Sequence, residues 1–292
     1  MITDIPKWAV LSMDVEDWYH LDYFQGKLPN KSYSMLDGLI EYIDFLERND
    51  IKTTFFVLSE LIDNLTHQLS YMNSCGHEIA CHGKTHKRPL LMSNYEFEKD
   101  VTEAKESLSI IINKEVIGYR APCYSINDEK YNILRKIGFR YSSSQIDIDN
   151  HPLYSKLNLT EYTQSIRGIY TKNGFTEFSL NTQKVFNKKI AISGGGWIRI
   201  LPWKIFMRPI IKTHLLHAQY YSSYIHPFEL SKKNIPLVKG ISMLSYIRAH
   251  IGLKKVLPRM QQIITMLKDQ GYSFTTFREL LIWMETQNRL SL

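Results

Sequence analysis

Residues 76–89 read GHEIACHGKTHKRP. A glycine opens the stretch, Ile79, Ala80 and Cys81 form a short apolar run, and two histidines follow four positions apart, His82 and His86. The apolar run reads as a buried strand. Two imidazoles at this spacing can reach one metal ion, from a helix face or from a tight turn. Gly83 stands between them and disfavours helix, so the pair is expected on a loop at the strand's end. Among ten histidines such a pair arises easily by chance, and on its own it reads as surface histidines. Its weight comes from what accompanies it.

Outward from this stretch the chain alternates strands and helices. Upstream, Lys52 to Leu58 is rich in β-branched and aromatic residues and reads as a buried strand. Ser59 is placed to cap a helix running to about Asn73, which Gly76 ends. Residues 8–15 (WAVLSMDV) open the fold as another buried strand, and Leu36, Leu39, Ile40, Ile43 and Leu46 recur at helical spacing. Downstream, Ser93 with Glu96 forms a capping-box pattern for a helix through Ile112. Val116 to Tyr119, Asp128 to Ile137 and Phe139 to Ser142 follow as strand, helix and strand. Tyr220 to Ile225 is a late strand. Leu257, Met260, Ile263, Ile264 and Leu267 mark an amphipathic helix, and a strand around Tyr272 to Thr275 and a helix from Phe277 close the chain. This alternation predicts a parallel α/β sheet or barrel in a single domain over 1–292. An irregular insertion with some short strands is expected around 145–200. Ser193 to Trp197 reads as a flexible loop whose glycines allow close backbone approach to a ligand, or as a plain turn; it lacks the Lys-Ser/Thr of a phosphate loop.

Composition bounds the function. The 292 residues are 44% hydrophobic and 22% charged, as in ordinary globular proteins. The net charge of +7 reads as scattered over short pairs such as Lys188-Lys189, Lys232-Lys233 and Lys254-Lys255, which argues against nucleic acid. A phosphate-bearing substrate or peripheral contact with an anionic membrane fits better. Cys75, Cys81 and Cys123 form no C-x-x-C pair, and no apolar stretch approaches the ~20 residues of a membrane span. The N-terminus lacks a basic region followed by an apolar run, so a cytoplasmic location is expected.

Four polar clusters lie just past predicted strand ends: Asp14-Val15-Glu16-Asp17, His82/His86, Arg120-Ala121-Pro122 and His226. In parallel α/β folds these ends share one face, where active sites form. Along a strand Asp14 and Glu16 point one way, Val15 and Asp17 the other. Two carboxylates on one face can divide labour, one completing a His-His-carboxylate metal site and one taking a proton from water activated there. Asp17 reads as a turn cap.

The segments SMDVEDW (12–18), TTFFV (53–57), GHEIACHGKTH (76–86), GYRAP (118–122), YSSS (141–144) and IHPFE (225–229) together resemble the polysaccharide deacetylase family, also called the NodB-homology group or carbohydrate esterase family 4. GGGWIRILP (194–202) and RAHIGLKKVLPRM (248–260) are similar to a subgroup associated with exopolysaccharide and surface-glycan biosynthesis. The resemblance implies a deformed (β/α) barrel of about seven parallel strands ringed by helices. It implies a divalent metal, usually Zn2+, and hydrolytic removal of acetyl from an N-acetylated sugar. Carried over, His82 and His86 become metal ligands and Asp14 the general base. Arg120 becomes the base's orienting partner, and His226 the acid that protonates the leaving amine. The chain departs from the family pattern at Val15, where a second aspartate is usual, and Glu16 is expected to replace it as ligand, with Asp14 and Asp17 the alternatives. Cys123 stands where the family has tyrosine, with Tyr124 beside it; its backbone N–H can still serve an oxyanion, and metal or redox use of its thiol is the alternative. Tyr124 and Trp197 are candidates to stack on sugar, or core aromatics. The substrate expected is a lipid- or nucleotide-linked glycan intermediate. Rival readings are an allantoinase-like hydrolase of another amide on this fold and an inactive glycan-binding homologue.

Overall fold

The computed structural model describes residues 6–24, 26–27, 29–148, 151, 153–154 and 157–290. Residues 1–5 of the N-terminal stretch, and 149–150, 152 and 155–156 of the expected insertion, lie outside the described residues.

Strand β1 (Lys7–Val15) is followed by α1 (Asp37–Asn49), β2 (Thr54–Val57), α2 (Ile62–Ser74), β3 (Glu78–Cys81), α3 (Asn94–Ile112), β4 (Gly118–Tyr119), α4 (Asp128–Ile137) and β5 (Tyr141–Ser142). Three strands then turn back on one another, β6 (Thr163–Ile166), β7 (Ile169–Lys172) and β8 (Phe175–Phe178), before a small hairpin, β9 (Thr182–Val185) and β10 (Lys188–Ala191). Helices α5 (Gly195–Ile200) and α6 (Arg208–His217), strand β11 (Tyr220–Ile225), helices α7 (Met243–His250) and α8 (Val256–Asp269), strand β12 (Tyr272–Phe274) and helix α9 (Phe277–Leu290) complete the order. Seven strands lie parallel in the order β11–β1–β2–β3–β4–β5–β8, and β7 and β6 extend the sheet antiparallel. This is the deformed (β/α) barrel expected from the motifs. At the seam between β8 and β11, the amide of Asn181 stands in for a strand: it accepts from Ser222 N–H at 2.7 Å and donates to the Tyr220 carbonyl at 3.1 Å.

The two faces of each strand sort the core. Ala9, Leu11, Met13, Val15, Phe55, Val57, Ile79 and Cys81 turn outward against the helices. Val10, Phe56, Ala80, Ile117, Tyr141 and Phe178 turn inward and meet Phe277, Leu280 and Leu281 of α9. Helix α9 therefore plugs the lower end of the barrel. Its first N–H groups are taken up by inward-facing strand residues, Phe277 N by Thr54 Oγ1 at 3.1 Å and Arg278 N by Glu78 Oε2 at 2.9 Å. The upper end of the same interior is polar: Ser12, Asp14, His82 and Arg120 are all buried there. One alternation thus seals the floor and furnishes the site.

Two local expectations are corrected. Ser59 does not cap α2: a 3-10 turn, Ser59–Leu61, comes first, and α2 starts at Ile62 without a side-chain cap. The N–H groups a Ser59 cap would serve, those of Leu61 and Ile62, are bonded instead to the Leu58 and Ser59 carbonyls within the 3-10 turn, while the N–H groups of Ser59 and Glu60 hold the Gly83 and Lys84 carbonyls of the histidine loop at 3.0 and 3.1 Å. Ser193 to Trp197 is not a flexible loop, because α5 begins at Gly195. Gly194 has φ +123°, and a Cβ on it would lie 2.0 Å from the Tyr224 carbonyl oxygen, so this glycine admits the backbone of β11.

Candidate active site

β1 delivers the acids. Its inward alternation carries Ser12 and Asp14, and a tight turn, Glu16 N–H to Asp14 O at 3.0 Å, ends the strand and brings Glu16 into the same space. Asp17, on the other side, accepts from Trp18 N–H and Met35 N–H at 2.8 Å and caps the following turn. Asp14 meets Arg120, which leaves the end of β4 fully buried and donates from Nη1 to Asp14 Oδ1 at 2.6 Å. Three further guanidinium donors are used, on Ser12 Oγ at 2.9 Å, Ser143 O at 3.0 Å and Ser143 Oγ at 2.9 Å. The Phe56 ring lies 4.0 Å beneath. A buried charge with its donors occupied in this way is a fixed one, so Asp14 is held in one orientation.

The histidines come from β3 and its loop. His82 Nδ1 lies 2.8 Å from the Arg120 carbonyl, which fixes that nitrogen as the donor and leaves Nε2 for the cavity. Burial, opposed by Asp14 and Glu16, brings the His82 imidazole down to about 4, so it is neutral near pH 7. His86 Nε2 stands 2.6 Å from Glu16 Oε2. Burial pushes the Glu16 carboxyl up, but His86, His226 and His82 more than offset this and hold it well below the usual carboxylate range. Glu16, His82 and His86 each offer one ligand atom, all within 4.8 Å of one another. Behind them His20 pairs with Glu60 at 3.1 Å, its ring 6.2 Å from that of His86.

His226, at the end of β11, faces Glu16 Oε1 at 3.5 Å through Nε2. Its Nδ1 and backbone N–H both lie against Glu229 Oε2, at 3.1 and 3.0 Å. Burial lowers the His226 pKa, but the hydrogen bond and charge of Glu229, with Glu16 and Asp14, raise it to about 9. Glu229 is steadied in turn by Arg199 Nε at 2.8 Å. The motifs alone do not single out Glu229, Arg199, Ser12 or Ser143 as site residues. A signal for Glu229 is nevertheless present: it is the one acid between Phe178 and Lys268.

Past Arg120 the chain turns through two successive left-handed residues, Cys123 at φ +54° and Tyr124 at φ +55°. Strain of this kind costs on the order of 1–3 kcal/mol per residue and gathers at functional sites. Burial, with Glu16 and Asp22 adding to it, pushes the Cys123 thiol up, so it stays protonated. Tyr124 is buried and packs against Tyr154 and Tyr224, with the half-buried Trp197 at the edge of this cluster.

A curled parallel barrel with an acid–arginine pair, two histidines and a late histidine at its upper strand ends is of the carbohydrate-esterase type. A family model for polysaccharide deacetylase matches residues 37–142, and a second, described as a domain of unknown function (DUF3473), matches 143–282. The segment 37–142 is thus that of the polysaccharide deacetylase family. A peptidoglycan deacetylase of Helicobacter pylori is 24% identical over 120 residues, a match that spans 41% of each chain. A polysaccharide deacetylase from Mycobacterium smegmatis shares the fold at TM-score 0.53 and 17% identity, over 95% of this chain and 96% of that one. The esterase domain of a xylanase from the hindgut metagenome of Trinervitermes trinervoides does so at 0.51 and 16%, over 96% and 92%. A pseudoenzyme of the family from Bacillus anthracis also shares it, at 0.50 and 14%, over 94% and 66%. Fold alone therefore does not carry turnover. Asp14 and Glu16 precede the matched deacetylase segment and His226 follows it; the structure brings all three to His82 and His86.

Proposed function

We propose that this chain is a metal-dependent hydrolase that removes the acetyl group from an N-acetylated sugar of a glycan or glycan precursor. The observation that carries the reading is the convergence of Glu16, His82 and His86 beside the buried Asp14–Arg120 pair and His226. The donor set fits a divalent cation. Glu16 Oε2, 2.6 Å from His86 Nε2, and His86 Nδ1 are buried polar atoms without a well-formed hydrogen bond among the described residues. Two imidazoles and a carboxylate suit Zn2+. When bound, such an ion supplies Lewis acidity to an acetamide carbonyl and makes water more acidic.

The protein's own groups do the rest. Asp14, oriented by Arg120, takes the proton of the attacking water. The Cys123 N–H is assigned to the developing oxyanion, a role that needs no side chain. His226 hands a proton to the departing nitrogen, and Glu229 holds its ring for that transfer. Trp197, half-buried at the edge of the cluster that Tyr124 backs, is the aromatic on which a sugar ring would rest. Acetate and a free amino sugar leave.

The substrate we favour is a lipid- or nucleotide-linked N-acetyl sugar of surface-glycan biosynthesis, handled in the cytoplasm. Acetate release tests both levels, using oligomers of N-acetylglucosamine, peptidoglycan fragments, and lipid- and nucleotide-linked N-acetyl sugars. Turnover abolished by chelation and restored by zinc is expected. Absence of acetate from every substrate with metal present would overturn the activity, and turnover confined to polymers would overturn the choice of substrate.

A further inference from the structure

Charge is segregated along the chain in a way that short pairs conceal. From Phe178 through Lys268 stand fifteen Lys and Arg and a single acid, Glu229; the rest of the chain holds 21 Lys and Arg against 28 Asp and Glu. Glu229 is buried against Arg199 and His226; Lys189 pairs with Asp147 and Lys232 with Glu41, and most of the segment's other cations have no acidic partner among the described residues.

On this segment, α7 leaves an apolar face open. Met243, Leu244, Ile247 and Ile251 fall within one arc of the helix. Their exposures are 73%, 57%, 47% and 42%, and Leu237 in the preceding loop is 80% exposed. The opposite side of α7 is anchored, with Ala249 buried and His250 Nε2 bonded to the Ile235 carbonyl at 3.0 Å. The face is therefore a surface of the folded protein and not a loosened core. Lys239, Arg248, Lys254 and Lys255 surround it, all exposed and without an acidic partner among the described residues.

We infer that this face docks on an anionic lipid membrane. An amphipathic helix lying in the interface buries its apolar arc at the headgroup boundary while cations beside it meet lipid phosphates. The charge is of the right sign, and it adjoins the apolar arc. The location is also informative. Arg199 donates to the carbonyls of Arg248 and Ile251 at 2.7 Å while its Nε holds Glu229, the partner of His226. The docking face is thus tied by one side chain to the candidate active site. The inference stands whether or not the chain turns over a sugar.

Co-sedimentation with vesicles tests it directly. The full chain should bind phosphatidylcholine vesicles containing about a third phosphatidylglycerol and not phosphatidylcholine alone, and high salt should weaken binding about tenfold or more. The variant M243S/L244S/I247S should lose binding about tenfold with an unchanged circular dichroism spectrum. If that variant fails to fold, K254E/K255E, which alters only exposed side chains, should show a comparable loss. Absence of binding to either vesicle at about 1 mM lipid would overturn the inference. So would salt-insensitive binding, or a dimer that the serine variant dissociates, since a second copy would then be what covers the face.

Discussion

Arg120 Nη1 and Asp14 Oδ1 lie 2.6 Å apart in the upper interior of the barrel, each in contact with almost no solvent. The pair joins β4 to β1, and the Arg120 carbonyl also fixes His82, so one residue orders both the proposed base and a proposed ligand. Replacing Arg120 with methionine leaves the Asp14 carboxylate buried and unpaired, which should cost about 3–5 kcal/mol. Removing the charge as well, in D14N/R120M, should recover part of that loss. Urea denaturation of the two single variants and the double variant measures the coupling, expected to exceed about 1 kcal/mol. Strict additivity would mean that the pair is not a unit.

Glu229 Oε2 holds His226 through its Nδ1 and backbone N–H, and on the proposed mechanism it acts only through that ring. Glu229→Gln removes the charge that stabilises the imidazolium while keeping much of the shape. Turnover should fall about 10- to 100-fold with metal content unchanged. Metal analysis alongside kcat separates this from collapse of the site, which would lose both.

Gly194 tests the packing of α5 on β11. Its φ is +123°, and any Cβ at this position would come within 2.0 Å of backbone oxygen, which leaves no room for a side chain. Gly194→Ala should destabilise the fold by more than about 2 kcal/mol, read as a lowered melting temperature. Gly196 is the control, since a Cβ there meets only the flexible Ile200 at 3.4 Å.

Glu177 supplies a pH dependence of stability from just behind the site. It is buried beside Tyr131 and accepts from the N–H groups of Ser144 and Gln145 at 2.9 Å. Burial outweighs these bonds and raises its carboxyl to about 7. A carboxyl whose folded pKa lies above its unfolded value of 4.5 stabilises the fold fully below that lower value and progressively less as pH rises to about 7. The stability difference between wild type and Glu177→Gln should therefore shift against the wild type across pH 4.5–7, seen by denaturant melts at several pH values. A difference flat in pH would show that Glu177 titrates normally.

Much of this architecture is legible because its signals are local. The capping box of Ser93 and Glu96 is formed as read, with both reciprocal bonds, and the apolar runs at 78–81 and 220–225 are the strands β3 and β11. What escaped reading depends on distant partners. The 3-10 turn that displaces the Ser59 cap is pinned to the Gly83 and Lys84 carbonyls more than twenty residues away, and Gly194 serves a strand thirty residues later. The turns at Arg167-Gly168 and Asn173-Gly174, with φ of +92° and +74° at their glycines, join β6–β7 and β7–β8. Asn-Gly is a hairpin signal, so part of the insertion could have been resolved. For the site, the residue types at strand ends are visible in sequence, whereas the division of labour between Asp14 and Glu16 requires Arg120, which lies over a hundred residues away.

That division is the central claim, and metal stoichiometry of two purified variants tests it most directly. Asp14→Asn should retain metal at the wild-type ratio and lose turnover by about 10²-fold or more, while Glu16→Gln should lose the metal itself. Metal lost from Asp14→Asn, or retained with full acetate release in Glu16→Gln, would contradict the account.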